Sequence, residues 1–292
     1  MASRIQTLML VLLLLIVGAI ILIAGTIQRE HDFEIQQRAI QLALANGVAN
    51  EIAERIRRQR ANLRLFADEY HASIVRLATH PDDNRVYEAI QQRLAQRFPK
   101  RLAFTLTTAN GIPLVEDIDT LIGDVCQLDI AHFVQAAARS RSPQGNRVFI
   151  HPQPGNYHYD LMARWQSGGR IGVFFVSFRP DDLTRLLGNY QLPGHELMLV
   201  KASDPSLIEL TAEGARDHLS REIRLNPAER RAALLGKSIA GSDWRVIDLP
   251  DERFAQRYER QLWREAGMIF ALILIASLIM LAMIWRLSPI RR

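Results

Sequence analysis

Tyr157-His158-Tyr159-Asp160-Leu161-Met162-Ala163-Arg164-Trp165-Gln166-Ser167-Gly168-Gly169-Arg170-Ile171-Gly172-Val173-Phe174-Phe175-Val176-Ser177-Phe178 alternates in its first half and is almost wholly apolar in its second. Successive side chains of a strand point to opposite sides. Tyr157, Tyr159, Leu161, Ala163 and Trp165 therefore share one face, and His158, Asp160, Met162 and Arg164 the other. Residues 170–178 are apolar on both faces apart from Ser177, which predicts a central strand. Gln166-Ser167-Gly168-Gly169 joins the two as a hairpin turn.

The same period continues on either side. Residues 101–108 place Leu102, Phe104 and Leu106 on one side, Asn110-Gly111 is a hairpin-turn signal, and residues 112–115 are expected to return as a strand. Asp129 is the expected N-cap of a helix carrying Ile130, Phe133 and Val134, and Gly145-Asn146 precedes a strand over 147–150. After the hairpin, Arg179-Pro180-Asp181-Asp182 starts a helix through Leu183, Leu186 and Leu187 that Gly188 is expected to stop. A second hairpin, 197–200 with 207–210, turns at Asp204-Pro205. Asn226-Pro227 opens a short helix ending near Gly236, and 244–249 is a last strand. Ahead of all these, Ile35, Leu42, Ala49, Ile52 and Ile56 mark a long helix over 31–70. Asp82 and Asp83 introduce a shorter one through Ile90, Leu94 and Phe98, which Pro99 ends. The fold class is α+β.

Two blocks, residues 7–27 and 266–285, are almost free of charge, and each is about twenty residues, enough to cross a hydrocarbon core of about 30 Å as a helix. The first has only Arg4 ahead of it and no Ala-x-Ala site behind it, so it reads as an uncleaved anchor. Trp263 and Trp285 bracket the second, where indoles favour the headgroup level. Arg4, Arg286, Arg291 and Arg292 place both termini in the cytoplasm of a bacterial inner membrane and the middle in the periplasm. The expected division is residues 1–28, a stub and first transmembrane helix; 29–262, the periplasmic domain, with 195–249 as a small membrane-proximal module or as edge strands of the same domain; 263–287, the second transmembrane helix; and 288–292, the start of a cytoplasmic linker.

The net charge of +5 is spread among interleaved Arg, Glu and Asp, as at Glu51, Glu54, Arg55, Arg57 and Arg58. That is a solvated helix face and not a nucleic-acid surface. Cys126 is the only cysteine, and reads as a small buried hydrophobe before it reads as an intersubunit bridge.

The segments Phe104-Thr105-Leu106-Thr107-Thr108-Ala109-Asn110-Gly111, Tyr159-Asp160-Leu161-Met162-Ala163-Arg164-Trp165, Gly172-Val173-Phe174-Phe175-Val176-Ser177-Phe178 and Gly241-Ser242-Asp243-Trp244-Arg245-Val246, in this order between two spans, resemble the Cache family of extracellular PAS-like sensor domains. The resemblance implies a PAS-like antiparallel sheet behind a long N-terminal helix, a small-molecule ligand, a homodimer, and no cofactor. The Tyr, Arg, Trp-Tyr and Asp set of amino-acid-binding double Cache receptors is not placed in this pattern. Leu287-Ser288-Pro289-Ile290-Arg291-Arg292 is similar to the entry of a HAMP linker or to the connector before a GGDEF domain. That similarity implies a cytoplasmic output beyond Arg292, a diguanylate cyclase first, then a histidine kinase or chemoreceptor.

In PAS-like domains ligand sits between the central strands and the helices covering one face, held by convergent polar groups and aromatic contact area. Phe104, Tyr157, Tyr159, Asp160, Arg164 and Ser177 are the ligand-binding candidates. Arg164 suits a carboxylate and Asp160 a cationic amine, although the two also suit an ion pair with each other. Either face of the strand qualifies as the pocket wall. His151, His158 and Asp160 supply zinc-ligand chemistry without a known spacing, and Glu116, Asp117, Asp119 and Asp124 form an acidic loop; neither is taken as a metal site. No His-Glu-x-x-His, Gly-x-Ser-x-Gly or paired-Cys pattern is present, so no catalytic residue is assigned. The rival reading is a polysaccharide chain-length regulator or another two-span periplasmic scaffold, whose external part would be dominated by long helices.

Overall fold

The hairpin forms as its alternation requires. In the computed structural model, which describes residues 2–115, 124–139, 149–153 and 156–287, β3 (Asn156–Ser167) and β4 (Arg170–Phe178) pair antiparallel from Tyr159↔Phe178 to Ser167↔Arg170. The turn is the two residues Gly168 and Gly169, both at positive φ (54° and 79°), a geometry that side chains with a Cβ resist. Gly172 serves another purpose: a Cβ there would lie 2.1 Å from the Thr107 carbonyl oxygen and 2.5 Å from the Trp165 ring.

The chain divides into two compact units, residues 1–40 with 250–292 and residues 41–249. The second holds two antiparallel sheets. In the first, β1 (Arg101–Thr108), β4, β3 and β2 (Phe149–Gln153) lie in that order, so β4 is central as expected. In the second, the order is β6 (Ile208–Thr211), β5 (His195–Lys201), β8 (Trp244–Pro250) and β7 (Lys237–Ser238). Two four-stranded sheets are not what an external part dominated by long helices would hold.

Helix α1 (Ala2–Glu69) carries Val48, Ile52, Ile56, Leu63 and Phe66 into the core of this unit. Helix α3 (Asn84–Arg97) starts where the Asp83 carboxylate accepts from the Val86 N–H, and adds Ile90 and Leu94. Helix α4 (Asp124–Arg139), which includes Cys126, packs Ile130 and Phe133 with Met162, Val173 and Phe175. Helix α6 (Pro227–Ala232) has a reciprocal cap: Asn226 Oδ1 accepts from Ala228 N (2.9 Å) and Glu229 N (3.0 Å), and Glu229 accepts from Asn226 N (2.8 Å).

Four expectations need correction. Asp129 is not an N-cap, since it lies inside α4, five residues after the helix begins at Asp124. Residues 112–115 do not form a strand: Pro113 makes one isolated bridge to Thr107, and without an N–H it cannot extend the ladder. Gly188 does not stop α5 (Asp181–Tyr190), because buried Leu183, Leu186 and Leu187 anchor the helix against a glycine cost of about 1 kcal/mol. Beyond Tyr70 the chain resumes as α2 (His71–Thr79), burying Ile74, Leu77 and Ala78. Glu116, Asp117 and Asp119, the Gly145-Asn146 turn and the linker residues 288–292 lie outside the described residues.

In the first unit, α1 and α7 (Glu252–Leu287) are both long and apolar enough to cross a membrane. Leu12, Leu13, Ile20, Leu272 and Leu278 are exposed on them, an apolar surface suited to lipid. Near the polar end Phe33 stacks on Tyr258, with ring centroids 4.2 Å apart, and lies 6.3 Å from Phe254.

Candidate functional site

The two faces of the first sheet are both buried, and they differ in chemistry. On one face Phe104 and Leu106 of β1, Phe174, Val176 and Phe178 of β4, and Tyr157, Tyr159, Leu161, Ala163 and Trp165 of β3 join the main core. Phe104 stacks with Tyr87 at 5.2 Å, and Phe174 lies 5.9 Å from Phe66. The tyrosine hydroxyls are satisfied: Tyr159 donates to Gln59 Oε1 (3.1 Å), and Tyr157 accepts from Trp244 Nε1 (3.3 Å). Burial, then the nearby Glu209 carboxylate, hold the Tyr157 hydroxyl well above the usual phenol range.

The other face carries Thr105, Thr107, Ser177, Asp160 and Met162. Register lines these up in rows: Ala103, Ser177 and Asp160; Thr105, Phe175 and Met162; Thr107, Val173 and Arg164. Ser177 Oγ donates to Asp160 Oδ1 at 2.6 Å, and His158 Nε2 lies 3.9 Å from the same oxygen. Thr105 and Thr107 are each 0% exposed, and among the described residues neither hydroxyl has a hydrogen-bond partner. Leaving a buried hydroxyl unpaired costs about 1–3 kcal/mol. Thr105 and Thr107 lie one and two rows from the Ser177–Asp160 pair, and the apolar side chains among them, Phe175, Met162 and Val173, pack against Ile130 and Phe133 of α4. Arg164, on the same face, is exposed and donates to Gln166 Oε1 (2.8 Å).

The six sequence-derived candidates thus separate. Asp160, Ser177 and Arg164 share the polar face, with Arg164 at its rim, whereas Phe104, Tyr157 and Tyr159 are packed in the main core. Asp160 hydrogen-bonds Ser177 and Arg164 hydrogen-bonds Gln166; the alternative of an ion pair between them is not what forms. Thr105 and Thr107 were legible only indirectly, as the residues opposite Phe104 and Leu106 on an alternating strand. Among the described residues no group of three or more His, Cys, Asp or Glu side chains converges to hold a metal.

Two further buried polar groups lie in the second sheet. Glu209, 2% exposed, has Arg216 Nη1 3.5 Å away; burial raises its carboxyl above the usual range, against the pull of Arg216 and Tyr157. His195 Nδ1 and Asp248 Oδ2 form a 2.6 Å hydrogen bond, and Gln41 Nε2 donates to the Asp248 carbonyl oxygen (3.1 Å). Burial likewise raises the Asp248 carboxyl, opposed by His195.

No family model and no curated protein matches the chain. It is similar to several solved structures. The sensory domain of a Campylobacter jejuni chemoreceptor with isoleucine bound is 13% identical, with a TM-score of 0.47, over 76% of this chain and 96% of that one. The sensor domain of a Vibrio cholerae histidine kinase is 11% identical, with a TM-score of 0.40, over 70% and 98%. The ligand-binding domain of a Pseudomonas aeruginosa amino-acid chemoreceptor in complex with GABA is 15% identical, with a TM-score of 0.42, over 72% and 97%.

Proposed function

We propose that this chain is the sensing half of a transmembrane signal receptor, with residues 29–262 in the periplasm and a small ligand held on the polar face of the first sheet. The observation that carries the reading is a sheet face that buries the Ser177–Asp160 hydrogen bond and, one and two rows along, the hydroxyls of Thr105 and Thr107, which have no partner among the described residues. A ligand with complementary hydrogen-bonding groups would satisfy them, and Asp160 favours one that bears a cationic amine. The two apolar helices support the membrane location. Ligand binding shifts a two-state equilibrium by its differential affinity for the two states, and α7 relays the shift within a homodimer. We read the output as a diguanylate cyclase, on the resemblance of residues 287–292 to the connector ahead of a GGDEF domain.

Thermal shift of the solubilised chain against a panel of amines, amino acids and carboxylates tests the site. Stabilising ligands should lose their effect in Asp160→Asn and Thr105→Val and keep most of it in Arg164→Gln. A ligand that stabilises all variants equally would remove this face from the site. Alkaline phosphatase fused near residue 150 should be active in cells; a fluorescent cytosolic reporter at that position would overturn the topology.

A further inference from the structure

Just outside the second apolar run, Arg253, Arg257, Arg260 and Arg264 recur along α7 at four-, three- and four-residue steps. At 100° per residue these positions fall within about 60° of one another, on one stripe of the helix. All four are exposed. The opposing charges lie off the stripe, and Glu265, which borders the cleft formed by Arg257, Arg260, Arg264 and Met268, accepts from Gln261 Nε2 at 2.9 Å. Arg257 Nε and Arg260 Nε donate to the helix's own carbonyls, at Arg253 (3.2 Å) and Gln256 (3.3 Å). Arg257 Nη2 also lies 4.0 Å from Asp251 Oδ2, so the stripe's own charge pairing is at its end away from the apolar run. The packing side of α7 is elsewhere: Phe254 and Tyr258 meet Phe33, and Leu262 is buried.

Position supplies the partner. At 1.5 Å per residue Arg264 and Arg260 stand about 3 and 9 Å above Ala266, where the apolar run begins. The headgroup layer is about 5–8 Å deep on each side of the hydrocarbon core. Arg264 lies within that layer, Arg260 at its edge and Arg257 one turn farther out, each on a side chain long enough to reach down. A planar guanidinium fits a phosphate through two parallel N–H donors, a match that lysine does not make.

We propose that this arginine stripe is a docking surface for anionic phospholipid headgroups of the outer leaflet, held at the phosphate by Arg260 and Arg264. The inference rests on the transmembrane reading of α7. The test uses the full chain and an Arg260→Gln/Arg264→Gln variant, each reconstituted into phosphatidylcholine vesicles containing spin-labelled phosphatidylglycerol or spin-labelled phosphatidylcholine. Wild type should associate with the anionic lipid about fivefold or more in preference to the zwitterionic one, and the variant should show almost no preference. Equal association in wild type, or a preference that the double substitution leaves intact, overturns the proposal. So does a double variant that loses its dimer while keeping the lipid preference, since the stripe then belongs to a second copy. Alkaline carbonate extraction of the same vesicles separates the two readings. Release of the chain defeats the transmembrane reading itself, whereas a retained chain without lipid preference defeats only the arginine stripe.

Discussion

Tyr159 and Asp160 are neighbours in the chain and face opposite sides of one sheet, and the two sides differ in chemistry. On Tyr159's side the ring stacks on Phe178 at 5.6 Å, and the one polar atom it brings is hydrogen-bonded to Gln59. That face closes a core. On Asp160's side the carboxylate, Ser177 and two threonine hydroxyls are equally shielded from water, but Thr105 and Thr107 have no partner among the described residues. Burial alone therefore does not distinguish the two faces; they differ in the share of buried polar atoms left unpaired among the described residues, Trp165 Nε1 being the one on Tyr159's side.

The contrast can be broken from either side. Phe174→Ala, on the closed face, should cost about 3–5 kcal/mol, because its fully buried ring leaves a cavity between Phe66 and Phe104. Urea unfolding followed by tryptophan fluorescence measures it, and a loss under 1 kcal/mol would mean that this face is not the core. Ser177→Ala, on the polar face, should cost less, about 1.5–3 kcal/mol, since it strips one hydrogen bond from a buried carboxylate. Thr105→Val and Thr107→Val should act in the opposite direction. Each removes an unpaired hydroxyl at nearly constant volume, and should stabilise the ligand-free chain by about 1 kcal/mol while weakening ligand binding. If both substitutions destabilise, the hydroxyls have partners and the comparison fails.

The smallest effect concerns pH, at Glu209 next to Tyr157 of the closed face. Burial raises the Glu209 carboxyl in the folded state above its ordinary value of 4.5. The folded chain then binds that proton more tightly than the unfolded chain, so its contribution to stability is present at the acid end and is lost as pH rises above 4.5. Glu209→Gln should flatten this part of the profile, which denaturation midpoints at several pH values between 4 and 7 would record. An unchanged slope would show that Glu209 is not the group responsible.

Much of this organisation was legible in residues 157–178. The alternation assigned each side chain to its face, the diglycine located the turn, and the unbroken apolar run made β4 central. The capped start at Asn226 was equally readable, because a capping box is a contact between residues three apart. Gly188 misled because a local breaker signal was outweighed by three buried leucines. The pairing of β5 with β8 and the His195–Asp248 bond could not be read, since their partners are 53 residues apart and carry no mutual mark.

Which way each side chain points was thus decided by the sequence itself, since the backbone of a strand turns successive residues to opposite sides wherever it is placed. What lies over each face was decided only in the folded molecule. A threonine on a strand has the same spelling whether its hydroxyl meets water, a neighbour or nothing, and the atoms that settle the matter come from segments far along the chain.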